Sequence, residues 1–283
     1  MIYTMKKVMF IMMAIAICMG AAARTNETVK KAVEVTQFDK VSLTGGVTVT
    51  FTQGPKHECT VIASPNDIEK LKVEVKEKKL KIYVEGKKNK MNGVTFNSAN
   101  LTDDVVVMVT SPELSYVDCL GSGDFIATTD INADDITFKR TGSGDIKLKK
   151  LNAGKVKMSI SGSGDIGLQQ ANARKLEASI AGSGEIDIDN VMDSCEYASL
   201  SVAGSGHIDV IFYDCKELKC DVAGSGEIEL KGMVGNYSSS IAGSGKIRKN
   251  ELVITGNCNE SKINSSSNYR KKPRTVNNIN AEP

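Results

Sequence analysis

The chain has 283 residues, 41% of them hydrophobic, but only 5% are aromatic and none is Trp. That length allows one large domain or two small ones, and 25 glycines with few aromatics suit a thin, regular core. The formal charge is +2, and the 36 basic residues less Lys6 and Lys7 equal the 34 acidic ones. Such a balance creates no field that would draw in nucleic acid.

Residues 1–23 read as a secretory signal. Lys6 and Lys7 precede the apolar run Val8 to Met19, and Ala21-Ala22-Ala23 offers a small-residue cleavage site. Twelve apolar residues are too few to span a bilayer, which takes roughly 20. Ile17 stands where a lipoprotein carries a small residue, which argues against lipidation at Cys18. No transmembrane segment is expected after cleavage. Six cysteines then remain, at 59, 119, 195, 215, 220 and 258.

Residues 24–33 read as a linker and 34–115 as an irregular β section. Val41 to Leu43 and Val47 to Phe51 alternate in strand fashion, punctuated by Gly45-Gly46 and Gln53-Gly54-Pro55. Ser64 to Leu71 looks like a short capped helix, with Pro65 early and acids in its first turn. Lys72 to Lys76 and Leu80 to Val84 read as a hairpin, and Val105 to Val109 as a buried strand. This section is expected to form longer, irregular coils that begin and cap a stack of regular ones.

Residues 116–256 carry the dominant feature. Gly-Ser-Gly starts at Gly121, Gly142, Gly162, Gly182, Gly204, Gly224 and Gly243, at intervals of 19 to 22 residues. A period of that length means one supersecondary unit per repeat, stacked on its neighbours. Six, four and two residues before the first Gly stand mostly apolar columns, such as Val156, Met158 and Ile160. Four and six after it stand two more, such as Ile166 and Leu168. Period two is the strand signal. Each repeat therefore reads as two short strands around a glycine corner, with a second tight corner at Ala133, Ala153, Ala173, Cys195 and Cys215. A propeller blade needs about 40 residues, so the expected fold is an all-β, right-handed parallel β-solenoid, its hand taken from the crossover preference. Asn132, Asn152 and Asn172, followed by Ser194 and Asp214, form a polar column suited to a hydrogen-bonded ladder. Residues 257–283 are polar and expected to be disordered.

The outward position three after the first Gly holds Asp124, Asp145, Asp165, Glu185, His207, Glu227 and Lys246, the best candidate ligand-facing column. Calcium is a weak fit there, since it takes six to eight oxygens and the column offers one carboxylate per coil. Glycoside cleavage needs a cleft, which short regular coils do not build. The plainer reading is a structural corner with solvated acids, in which serine hydroxyls cap nearby amides. His57 is placed in a solvated loop. Cys spacing matches no zinc pattern, and no metal or cofactor is expected. Cys195 and Cys215 would be stacked neighbours, leaving open whether they are buried small hydrophobes or a disulfide.

The Leu43 to Gly54 opening, the Thr110-Ser111-Pro112-Glu113-Leu114 step and Gly-Ser-Gly-Asp-Ile at 142–146 and 162–166 together resemble the head GIN domain family, common in Bacteroidetes. The resemblance covers roughly residues 34–250. It implies a β-helical fold, an envelope or extracellular location and no catalytic residues; the "adhesin" in the family's name is itself a conjecture. The resulting expectation is an exported, non-enzymatic binding module for glycan or a surface protein. The alternatives are a polysaccharide-active enzyme and a self-assembling envelope protein.

Overall fold

The computed structural model describes residues 28–263, except 86, 92–93, 99–100, 102–104 and 193–194. The signal segment, Cys18, Ser194 and the tail beyond 263 lie outside these. The first section runs β1 (Val29–Val33), β2 (Lys40–Thr44), β3 (Thr48–Gln53), β4 (Glu58–Ala63), α1 (Pro65–Lys70), β5 (Leu71–Lys76), β6 (Lys79–Val84), β7 (Lys87–Met91), β8 (Val94–Ser98) and β9 (Val106–Ser111). The regular section comes next, with β10 (Tyr116–Gly121), β11 (Phe125–Ala127), β12 (Ile131–Gly142), β13 (Asp145–Gly162), β14 (Asp165–Gly182), β15 (Glu185–Val191) and β16 (Cys195–Gly204). It closes with β17 (His207–Gly224), β18 (Glu227–Gly243), β19 (Lys246–Ile254) and β20 (Cys258–Ile263).

These strands build a β-solenoid of about seven turns. In the regular section, successive coils pair in parallel and in register: Gly121 faces Gly142, which faces Gly162, and so on to Gly243. Val156, Met158, Ile160, Ile166 and Leu168 are all buried. The alternation breaks between Leu148 and Leu151, and again between Leu151 and Val156. Each such break is a bend, because a straight strand keeps its period of two. A coil therefore has three straight segments rather than two, the third filled by Ile131, Leu151, Ala171, Val191 and Phe212.

The corner explains its glycines. The first Gly has φ of +113 to +140 between Gly121 and Gly204. A Cβ on Gly182 would also strike the Gly162 carbonyl, and one on Gly184 the Gly164 carbonyl. Both glycine columns are thus excluded from carrying a side chain by the coil below. The hydrogen bonds that close the corner come from the main chain: Ser163 N donates to Gly142 O at 3.0 Å and Gly164 N to the same oxygen at 2.9 Å. Among the described residues the corner serine hydroxyls make no hydrogen bond, so the corner is held by main chain and not by serine caps as expected.

The first section departs from chain order. β2 and β3 form a coil lying between two others: β10 and β11 pair with it on one side, β6 and β9 on the other. Gly45, with φ +110, stacks directly beneath Gly121, and Gly45 N donates to Leu120 O at 2.8 Å. Gly45-Gly46-Val47 is therefore one more copy of the corner. β4 pairs antiparallel with both β1 and β9, and β5 antiparallel with β6, so the early end is covered. β1 occupies residues assigned to a linker, because it extends this antiparallel layer. The hairpin turns through Glu77 and Lys78, both at positive φ, as a two-residue turn requires. In α1, the Ser64 side chain accepts from Asp67 N, and Pro65 opens the first turn. At the other end, residues 258–263 form β20 on β18 rather than disordered chain, because their main chain completes the ladder of the last coil.

Candidate functional site

The seven residues of the predicted column form one outward row. Asp145, Asp165, Glu185, His207 and Glu227 are register partners in successive coils, with Asp124 before them and Lys246 after. Neighbouring coils are roughly 4.8 Å apart, so like charges in a row repel by about 1 kcal/mol in water and about 3.5 at a surface-like dielectric. The structure relieves this unevenly. Asp124 Oδ1 accepts from Asp145 N at 2.8 Å, and Asp165 Oδ1 from Glu185 N at 3.0 Å. These two carboxylates are coil-to-coil clamps, a correction to the reading of merely solvated acids. Lys147 pairs with Asp145 at 3.1 Å, and Arg248 pairs with Glu227.

A second outward row runs alongside: Lys147, Gly167, Asp187, Asp209, Glu229 and Arg248. A Cβ on Gly167 would meet nothing within 4 Å, and its φ is not in the left-handed region. Gly167 is thus a glycine that neither the backbone angles nor the neighbouring coils require. It opens a shallow depression of about 240 Å³, lined by Asp145, Lys147, Asp165, Glu185 and Asp187. Burial, then the neighbouring acids Asp189, Asp209 and Glu185, hold the Asp187 carboxyl above its usual range. The apolar columns and the acidic column do not single out this row; the signal for it in the sequence is Gly167, which breaks a column of charged residues.

Elsewhere the Asn ladder forms, Asn152 donating to Asn132 at 2.7 Å and Asn172 to Asn152 at 2.6 Å. Gln53 closes its early end through the Asn132 main chain. His57 is half-buried rather than solvated. It packs on Phe38, with Nδ1 3.2 Å from Ser111 Oγ. That hydroxyl is buried and lies within hydrogen-bond reach of the Phe38 and Glu113 carbonyls, so the pair clips main chain together. A separate groove of about 450 Å³, lined by Val33, Val61, Ile68, Leu71, Val73 and Tyr83 among others, lies in the early antiparallel layer. No helix among the described residues is long and apolar enough to cross a membrane.

Residues 37–210 and 193–280 match the family described as "Putative auto-transporter adhesin, head GIN domain". The chain belongs to the head GIN domain family. A crystal structure titled a putative adhesin, from Bacteroides fragilis, shares 20% identity and a TM-score of 0.61 over 84% of this chain and 98% of its own. One from Parabacteroides merdae, also titled a putative adhesin, shares 18% identity at TM-score 0.66, over 84% and 97%. A Parabacteroides distasonis structure titled a putative lipid binding protein shares 23% identity at TM-score 0.65, over 84% and 97%. At these identities the likeness establishes the head GIN fold and nothing of the ligand. No curated protein matches the chain.

Proposed function

We propose that this head GIN protein is an exported envelope or secreted binding module without catalytic activity, and that it takes glycan at the Gly167 depression. The observation that carries the reading is Gly167 itself. A Cβ on any Gly-Ser-Gly glycine from Gly142 to Gly245 would strike the neighbouring coil, whereas this one only removes a side chain from an outward row. The gap is bordered by carboxylates, which accept hydrogen bonds from sugar hydroxyls, and by the Lys147 ammonium. The register fixes these groups on strands, so little ordering is lost on binding.

The test is a glycan array with residues 24–283, compared with Gly167→Thr and with a D145N/D165N/E185Q variant. Thr suits a strand and fills the gap, so binding should disappear in G167T while thermal unfolding stays unchanged. Binding that survives in both folded variants would remove the site from this face.

The polysaccharide-cleaving alternative has one specific observation, the raised Asp187 carboxyl beside acids one coil away. Carboxylates that close would suit a retaining mechanism. Reducing ends released from a bound glycan, and abolished in D187N, would establish that reading; the expected outcome is no release.

A further inference from the structure

The second outward row holds a constellation separate from the Gly167 depression. His207 and Asp209 lie two apart on β17, so they share a face, and Glu229 on β18 is the register partner of Asp209. One ligand atom from each lies within 4.8 Å of the other two. All three side chains are half-buried. The surroundings are acidic: Asp187 is the register partner of Asp209 on the other side, Glu185 that of His207, and Asp189 is near.

Some of this charge is already matched. Lys231 bonds Glu229 Oε1 at 3.0 Å, which leaves the second oxygen of that carboxylate, and Arg248 takes Glu227. Asp209 is different. Its Oδ1 is shielded from solvent and has no hydrogen-bond partner; Lys231, bonded to Glu229, acts on Asp209 through space, but no cation lies within ion-pair distance of Asp209 among the described residues. A buried carboxylate oxygen normally has a donor or a cation. The His207 ring nitrogens likewise make no hydrogen bond among the described residues.

We propose that His207, Asp209 and Glu229 bind a divalent transition-metal ion of the zinc type. An imidazole nitrogen with two carboxylate oxygens suits zinc, whereas calcium takes six to eight oxygens and magnesium keeps most of its water. Zinc holds such ligands tetrahedrally at about 2.0–2.2 Å, which sets ligand atoms roughly 3.3–3.6 Å apart. The three ligand atoms already lie within 4.8 Å of one another, so the closure required is at most about 1.5 Å. Three protein ligands leave a position for water or for an oxygen of a bound molecule. This site does not depend on the glycan reading, and each can fail alone.

The experiment is calorimetric titration of the folded mature chain with zinc chloride, with metal content checked by elemental analysis after dialysis. One zinc per chain is expected, weakened at least tenfold in His207→Thr and in Asp209→Asn. Asp221→Asn on the same strand and Cys258→Ser, which removes the exposed thiol, should bind as the parent does. Calcium should not compete. Glu229→Gln reports on the same ion through a third ligand if either variant fails to fold. Absence of stoichiometric zinc, zinc that survives in H207T and D209N, or zinc lost in C258S would overturn the site. So would a thiolate charge-transfer band on cobalt substitution.

Discussion

Arg140 Nη2 donates to the Gly121 carbonyl at 2.6 Å from inside the coil, where a guanidinium sits among hydrophobic neighbours. Cys119 and Ile160 are its register partners, and its Nε and Nη1 have no hydrogen-bond partner. Gly121 O is also served by Ser143 N at 3.0 Å, so the carbonyl does not need the arginine. An unpaired buried charge is expensive, and an apolar side chain of similar length is commonly neutral or better. Arg140→Met should therefore raise stability by about 1 kcal/mol or more, read as a higher denaturant midpoint at unchanged slope. A fall of that size would mean that the guanidinium supports the corner.

The two kinds of glycine should separate cleanly. Gly182 has φ +140 and lies against the Gly162 carbonyl, while Gly167 faces open space. Gly182→Ala should lose about 2 kcal/mol or more through strain and a displaced coil. Gly167→Ala should be neutral or slightly stabilising. Equal effects in thermal unfolding would contradict the steric account of the corner.

Asp165 accepts the Glu185 amide, and Asn in its place keeps an acceptor oxygen. Asp165→Ala should lose about 1 kcal/mol, and D165N should stay within about 0.5. Hydrogen exchange at the Glu185 amide reports the bond directly, with faster exchange expected in D165A alone.

Cys195 and Cys215 are register partners whose sulfur atoms are 3.0 Å apart in the interior. Strands this close fall within the span a disulfide bridges, and such bridges form in oxidising compartments. Donating to the Cys215 sulfur, together with burial, holds the Cys195 thiol well above the ordinary range, while accepting that bond holds Cys215 below it, so Cys215 is the thiol through which the pair would oxidise. Protein recovered from an oxidising compartment should show four titratable thiols on denaturation instead of the six of residues 24–283. Closing a 20-residue loop adds roughly 3 kcal/mol. Six thiols, with stability indifferent to reductant, would make the pair a buried hydrophobic contact.

The regular coils were legible because their interior is one-dimensional: a column such as Leu176, Ala198 and Leu218 announces itself once the glycines are aligned. The third segment was not, since Leu151 stands three residues after Leu148 and a period-two reading drops it at the bend. The Gly45 corner was hidden for another reason. Its register partner Gly121 lies 76 residues away, beyond a hairpin, a helix and an antiparallel layer, so no constant interval links them. In the candidate site, periodicity placed Asp145, Asp165 and Glu185 in a row but could not assign Asp165 to an amide one coil on. A hydrogen bond to main chain leaves no trace in residue type.

The stacked corner carbonyls also bear on how such a protein changes over generations. Each coil offers the next the same two side-chain-free positions and the same row of acceptors, and it receives them in turn. A coil is therefore interchangeable with its neighbour at the level of main-chain contacts. In-frame duplication of one unit, such as residues 163–182, would leave a continuous ladder in a longer rod, whereas its loss would shorten the rod and take Gly167 and its depression with it. The length of the stack is then a quantity that recombination can tune in steps of one coil.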